Sequence, residues 1–249
     1  MRKKLVAGNW KMHGSLQKNA ELLEAICRGA SGLGCEIAVC APYPYLHQVQ
    51  SIFGATSFRW GAQSVSEHQS GAFTGEVSAS MLLDYGCRYV LVGHSERRTL
   101  FGETDDVVAA KFAAAQTAGL IPVLCVGETL FERESGMTGL VVSRQLSAVL
   151  DRQGVDAFAS AVVAYEPVWA IGTGVTASTV QAQNVHSAIR SQVACLSADV
   201  AKGLRILYGG SVKPGSAQEL FAQDDIDGGL IGGAALIADD FVAICQAAS

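Results

Sequence analysis

The chain has 249 residues, of which 49% are hydrophobic and 16% are charged. This composition supplies a sizeable core and excludes a disordered chain. The formal net charge of −5 argues against a general nucleic-acid or anionic-membrane surface, so a small anionic ligand would need locally placed cations and N–H groups.

Short apolar runs rich in β-branched residues recur along the chain, with helix-like segments between them. We predict strands at 4–9, 36–41, 57–63, 89–93, 121–126, 161–166, 204–208 and 227–231, and helices that include 16–28, 105–118, 139–152, 177–197 and 239–247. This alternation predicts βαβ units and a parallel sheet. Continuous apolar runs such as 161–164 are typical of strands buried on both faces.

The strand count favours a closed barrel. Eight strands in 249 residues give about 31 residues per unit, which matches the roughly 250 residues of a (β/α)8 barrel. An open doubly wound sheet is the alternative, because periodicity alone does not distinguish closed from open sheets. No linker or low-complexity segment divides the chain, so we expect an α/β protein with one domain over 1–249, an eight-stranded parallel barrel.

Cysteine usage and hydropathy indicate the compartment. The seven cysteines are scattered without a CxxC pair, which favours neither a disulfide framework nor a zinc site and indicates a reducing environment. The apolar run after the basic N-terminus ends at Asn9, too early for a signal peptide. The most apolar stretch, 228–238, is shorter than the roughly 18 residues of a membrane span. We expect a soluble cytoplasmic protein.

Polar residues follow several predicted strands, and in a parallel barrel these positions meet at the rim that carries active sites. Glu166 ends the sixth strand and precedes Pro167, which holds it in extended geometry. An ion-paired strand-end carboxylate is one interpretation. A general base is the other, because burial at a dry barrel mouth raises a carboxyl pKa towards the useful range.

Two other rim residues suit an anionic substrate. Lys11 supplies a cation, although most lysines are simply solvated. His94 precedes a short helix predicted to begin at Ser95, and a helix N-terminus disfavours imidazolium, so we expect a neutral hydrogen-bond donor. A structural histidine is the alternative. A metal site of His94 with Glu96 is disfavoured because no further ligands share a recognisable spacing.

Glycines and a flexible segment complete the predicted rim. Gly209-Gly210 with Ser211, and Gly232-Gly233, follow the last two strands, where this fold often binds phosphate on backbone N–H groups. Residues 167–177, with proline at one end and glycines at the tip, are typical of a lid. Residues 172–177 also fit a dinucleotide-binding pattern, which is disfavoured because that pattern should leave a strand directly.

Five motifs together resemble the triosephosphate isomerase family over residues 5 to 245, in the family's order. They are Asn9-Trp10-Lys11, GHSERR at 93–98, AYEPVWAIGTG at 164–174, YGGSV at 208–212 and Gly232-Gly233. The resemblance implies a TIM barrel. It also implies a cofactor-free isomerase of glycolysis and gluconeogenesis, which interconverts dihydroxyacetone phosphate and D-glyceraldehyde 3-phosphate through an enediolate.

The resemblance assigns roles to individual residues. It implies Glu166 as base, His94 as electrophile and Lys11 as electrostatic stabiliser, and it places Asn9 and Glu96 among the catalytic residues. The implied substrate-binding set, without a metal, is Asn9, Lys11, Gly172, Ser211, Gly232 and Gly233. The segment 167–177 corresponds to the family's lid.

The resemblance also implies a homodimer, in which loop 64–79 docks into the partner and Thr74 lies near the partner's active site. This chain departs from the family pattern at four positions. Val175 replaces a lysine at the second lid hinge, and Ala235 replaces a common serine. His13 and Ser64 replace asparagines near the expected dimer contact.

Other functions are compatible with the same scaffold. A Schiff-base aldolase needs a lysine projecting from a barrel strand, and none lies on the predicted sixth strand. A phosphoribosyl-type isomerase has no reason to carry this lid sequence. A non-catalytic sugar-phosphate-binding protein need not keep Lys11, His94 and Glu166 together.

Overall fold

The computed structural model describes residues 2–172 and 176–249. Within these ranges eight parallel strands close into a barrel in chain order, and β8 pairs with β1. The strands are β1 (Leu5–Asn9), β2 (Glu36–Ala41), β3 (Arg59–Ala62), β4 (Tyr89–Val92), β5 (Ile121–Val126), β6 (Val162–Tyr165), β7 (Arg205–Tyr208) and β8 (Gly228–Ile231). The predicted closed barrel is confirmed, and the open sheet is excluded.

Helices follow the strands and cover the barrel. In the described part of the chain the α-helices are α1 (Leu16–Ala30), α2 (Leu46–Phe53), α3 (Ala79–Asp84), α4 (Ser95–Phe101), α5 (Asp105–Ala118), α6 (Leu130–Glu134), α7 (Thr138–Gln153), α8 (Thr179–Ala194), α9 (Ala198–Gly203), α10 (Pro214–Phe221) and α11 (Ala238–Ala247). Short 3-10 helices lie at Tyr43–Tyr45, Val155–Ser160, Val168–Ala170 and Gly233–Leu236.

The predicted element boundaries differ from the observed ones by a few residues at most. The predicted strand 57–63 is observed as Arg59–Ala62, because the chain pairs with β2 and β4 only there. The predicted helix 177–197 is observed as Thr179–Ala194. Its start is fixed by Ser178, whose side chain accepts a hydrogen bond from the backbone N–H of Gln181.

The core has two layers because successive strand residues point to opposite faces. One buried cluster fills the barrel interior and includes Leu5, Ala7, Val162 and Ala164. The other lies between barrel and helices and includes Val6 and Val163. The same alternation directs Asn9, the last residue of β1, towards the barrel axis as it does Leu5 and Ala7. Continued one residue past β6, it directs Glu166 the same way as Val162 and Ala164.

The amino-terminal mouth of the barrel is filled by a polar network. The hydroxyl of Tyr89 donates to Glu36 at 2.6 Å, and Arg205 donates both to Glu36 at 2.8 Å and to the Tyr89 hydroxyl at 2.9 Å. Each charged group in this network has an opposite charge or a hydrogen-bond partner, as burial requires. The site cavity lies at the other mouth.

Two broad properties bear on the expected class of protein. No helix in the described ranges combines the length and apolar character needed to cross a membrane. Among the same residues, no group of three or more His, Cys, Asp or Glu side chains is arranged to hold a metal ion.

Candidate active site at the carboxyl rim of the barrel

A cavity of about 450 Å³ opens at the carboxyl ends of the strands. The structure brings eight of the sequence-predicted site residues to its wall: Asn9, Lys11, His94, Glu166, Gly172, Ser211, Gly232 and Gly233. Glu96 lies outside this wall and lines a neighbouring cavity of about 290 Å³. Residues from both ends of the chain therefore meet in one site.

Glu166 lines this cavity, and its side chain is only 2% exposed. Its Oε2 accepts a hydrogen bond from the backbone N–H of Ser95 at 2.9 Å, and its Oε1 lies 2.9 Å from Nε2 of His94. Burial raises the pKa of Glu166, but His94, the Ser95 N–H and Lys11 together outweigh it and hold this pKa below its ordinary value. The group is therefore a shielded carboxylate.

Two glycines make room for Glu166. A Cβ at Gly127 would lie 1.7 Å from the Glu166 carbonyl oxygen, and a Cβ at Gly209 would lie 2.9 Å from its Cγ. The backbone N–H of Glu166 also donates to the Val126 carbonyl at 2.7 Å. The chain segments that follow β5 and β7 thus pack closely against Glu166 and fix the direction in which its carboxylate projects.

His94 is the N-cap of α4, as the sequence predicted for a short helix beginning at Ser95. Its Nδ1 accepts the backbone N–H of Glu96 at 3.3 Å, which leaves Nε2 as the protonated nitrogen that faces Glu166. Burial lowers the pKa of His94, but the Glu166 carboxylate outweighs it and raises this pKa above its ordinary value. The hydrogen bond from the Glu96 N–H to Nδ1 favours the neutral imidazole. The Glu166 carboxylate favours the protonated imidazole in this conformation.

Lys11 has a left-handed backbone with φ of 50°, which is uncommon for a residue other than glycine. Two side chains hold it there. Asn9 Oδ1 accepts the Lys11 N–H at 3.0 Å, and Gln63 Nε2 donates to the Lys11 carbonyl at 2.8 Å. The ammonium forms an ion pair with Glu96, so the structure links Glu96 to the cavity through Lys11.

The far end of the cavity is built from small residues that follow β7 and β8. Ser211, Gly232 and Gly233 line it, and a 3-10 helix begins at Gly233. Apolar Leu230 and Ile171 also contribute to the wall. Sequence reasoning did not single out these two side chains, although the alternation along β8 directs Leu230 inward.

The first part of the predicted lid is attached through a buried carboxylate. Glu128 is fully buried, and its Oε1 accepts hydrogen bonds from Trp169 at 3.0 Å and Tyr165 at 3.1 Å. The Arg133 guanidinium lies 4.4 Å from the centre of the Trp169 ring. Sequence reasoning missed Glu128. The sequence feature that could have indicated it is its position two residues after the end of β5. Residues 173–175, including the Val175 departure, lie outside the described residues.

The segment 64–79 has an exposed middle and buried ends. Residues 67–76 are exposed, whereas Ser64 is buried. The rings of His68 and Phe73 stack with centroids 3.7 Å apart. Exposed Met12 and Phe101 line the neighbouring cavity.

The closed parallel barrel, and the cavity at its carboxyl rim that holds Lys11, His94 and Glu166, define a (β/α)8-barrel enzyme. The family model described as "Triosephosphate isomerase" matches residues 4–248. Proteins of that name are 78% identical in Dechloromonas aromatica and 67% identical in Thiobacillus denitrificans, each with 100% of both chains covered. One in Nitrosomonas europaea is 58% identical, covering 98% of this chain and 97% of the relative. The chain belongs to the triosephosphate isomerase family.

Proposed function

We propose that the chain interconverts dihydroxyacetone phosphate and D-glyceraldehyde 3-phosphate, a step of glycolysis and gluconeogenesis. Membership of the triosephosphate isomerase family supports this reaction. The observation that carries the mechanism is one cavity shared by a shielded carboxylate, an imidazole and an ammonium at one end and small residues at the other.

Glu166 is the base. Its carboxylate removes a proton from the carbon next to the substrate carbonyl, which gives an enediolate, and it returns the proton to the neighbouring carbon. A positioned base contributes roughly 10²–10⁴-fold to such a rate. Both carboxylate oxygens are hydrogen-bonded in the conformation described above. Substrate binding must therefore release Glu166 from His94 before the proton is taken.

His94 and Lys11 stabilise the negative charge that develops on the substrate oxygens. Nε2 of His94 carries the proton suited to donate there, because Nδ1 already accepts the Glu96 N–H. Asn9 fixes the Lys11 backbone, and Glu96 pairs with the ammonium. Such preorganised donors are effective because they do not have to reorient during the reaction.

Gly172, Ser211, Gly232 and Gly233 bind the phosphate. The phosphate takes no part in bond changes, but binding energy gained there can drive closure of lid 167–177 over the substrate. Closure excludes water and restrains the enediolate from losing phosphate. Trp169, held by Glu128, anchors the first part of this lid.

The functional form is a cytoplasmic homodimer. Each subunit is a single catalytic domain that spans residues 1–249. The exposed middle of loop 64–79 docks into the partner and brings Thr74 near the partner's active site. The cavity of about 290 Å³ lined by Lys11, Met12 and Phe101 is next to the site and suits such a loop. Sedimentation of wild type and Thr74→Arg tests this, and a monomeric wild type at micromolar concentration would refute it.

The activity is tested by supplying dihydroxyacetone phosphate to the purified chain and following glyceraldehyde 3-phosphate with a coupled dehydrogenase. Rapid formation is expected for wild type. Absence of product from a folded chain at high enzyme concentration would refute the proposed reaction.

A further inference from the structure

The backbone of Gly127 is held by a side chain that comes from a helix. Gly127 directly follows β5, whereas Gln145 lies in α7 and is only 5% exposed. The Gly127 N–H donates to Oε1 of Gln145 at 2.8 Å, and Nε2 of Gln145 donates to the Gly127 carbonyl at 3.1 Å. One side-chain amide therefore satisfies both hydrogen-bonding groups of this backbone residue, as partial burial requires.

This amide takes the place of a neighbouring strand. Successive residues of a parallel strand direct their N–H and C=O groups to opposite neighbours. On the β6 side, the Val126 carbonyl accepts the Glu166 N–H at 2.7 Å. One rung further, the Glu128 carbonyl accepts the Val168 N–H at 3.1 Å. Gly127 lies between these two rungs and faces the β4 side, where the pairing of β4 with β5 has already ended. The amide from α7 supplies the donor and the acceptor that a longer β4 would have supplied.

Gly127 packs directly against the backbone of Glu166. A Cβ at Gly127 would lie 1.7 Å from the Glu166 carbonyl oxygen and 3.2 Å from its Cα, so a movement of either residue is felt by the other. A cavity of about 330 Å³ lies beside this contact, and its wall includes Gly127, Gln145 and Glu166. Without the amide, water in this cavity can satisfy the Gly127 backbone, but it does not fix the position of that backbone.

We propose that Gln145 is a positioning residue for the isomerisation and that it acts on Glu166 through Gly127. This role rests on the proposed function, in which Glu166 takes the proton. Gln145 holds Gly127 in place, Gly127 restrains the Glu166 backbone, and that backbone directs the carboxylate. The described wall of the 450 Å³ cavity does not include Gln145. Its removal should therefore affect proton transfer rather than substrate binding.

Steady-state kinetics of Gln145→Leu with dihydroxyacetone phosphate test this role. A displacement of about 1 Å can cost on the order of 10²-fold in rate, and we expect a loss of kcat of that size. KM and the inhibition constant of inorganic phosphate should stay near their wild-type values. Gln192→Leu is the matched control and should keep the wild-type kcat. The Gln192 amide also makes two hydrogen bonds, to the Ser143 carbonyl at 3.2 Å and to the Ser147 hydroxyl at 3.0 Å, but both partners lie in α7 outside the site.

Gln145→Glu separates positioning from general packing, and it decides the question if Gln145→Leu does not fold. The new side chain has the same size and an oxygen that accepts the Gly127 N–H. Its carboxylate lacks a donor for the Gly127 carbonyl, whereas its protonated form has one. The deficit in kcat relative to wild type should therefore be larger near pH 9 than near pH 6.

Three results would overturn this role. They are a near-wild-type kcat in folded Gln145→Leu, a raised KM with unchanged kcat in that variant, and a deficit in Gln145→Glu that is the same at both pH values. A wild-type chain without isomerase activity would instead refute the proposed function, and this role with it.

Discussion

Nε2 of His94 lies 2.9 Å from Oε1 of Glu166. The proposed electrophile and the proposed base are thus bound to each other in this conformation. A single N–H cannot serve Glu166 and a substrate oxygen at full strength, so the substrate competes with the carboxylate for the imidazole. This contact has consequences for both stability and catalysis.

The His94–Glu166 pair predicts a pH window for stability. Burial disfavours both charges, yet the pair raises the pKa of His94 above 6.5 and lowers that of Glu166 below 4.5. The stabilisation from His94 is complete below its unfolded pKa and is lost as pH rises through its folded pKa. The stabilisation from Glu166 is present above its unfolded pKa and is lost as pH falls through its folded pKa.

The unfolding free energy lost in His94→Gln should therefore be larger near pH 6 than near pH 9. Denaturant unfolding at the two pH values measures the difference. The exposed His47 provides the control, because His47→Gln should change stability little at either pH. An equal loss in His94→Gln at both pH values would contradict the ion pair.

Gly209→Ala should impair catalysis without unfolding the barrel. The new Cβ would meet Cγ of Glu166 at 2.9 Å and the Tyr165 carbonyl oxygen at 3.1 Å, so the carboxylate must move. A displacement of about 1 Å can cost on the order of 10²-fold in rate, and we expect a loss of kcat of that size. Steady-state kinetics measure it. Gly215→Ala is the matched control, since no atom lies within 4 Å of its added Cβ.

Removing the phosphate from the substrate should lower kcat as well as raise KM. If phosphate binding at Ser211, Gly232 and Gly233 drives lid closure, D-glyceraldehyde will isomerise slowly even when it saturates the enzyme. NMR of the isomerisation at rising glyceraldehyde concentrations measures both constants. Equal kcat for glyceraldehyde and its 3-phosphate would show that the phosphate contributes only uniform binding.

Much of the fold and the position of the proposed base follow from local sequence patterns. Eight apolar runs with the length of a barrel predicted the architecture. The alternation that buries Val162 and Ala164 inside the barrel also directs Glu166 to its axis. These features can be predicted from sequence because successive side chains along a strand point to opposite faces of the sheet.

Other parts of the site depend on contacts that no local pattern encodes. Gln63 holds the Lys11 carbonyl across 52 positions of chain, and Glu128 binds Trp169 across 41. The left-handed conformation of Lys11 is likewise imposed by its neighbours. The pairing of Glu96 with Lys11 is visible only once β1 and α4 are brought together.

Hydrogen exchange in deuterium oxide tests most directly whether Glu166 moves the proton. With wild type, proton NMR should show deuterium entering dihydroxyacetone phosphate and glyceraldehyde 3-phosphate at the exchanging carbons. Glu166→Gln should slow this exchange by roughly 10²–10⁴-fold while retaining fold and phosphate binding, and exposed Glu134→Gln should match wild type. Near-wild-type exchange in Glu166→Gln would contradict the account.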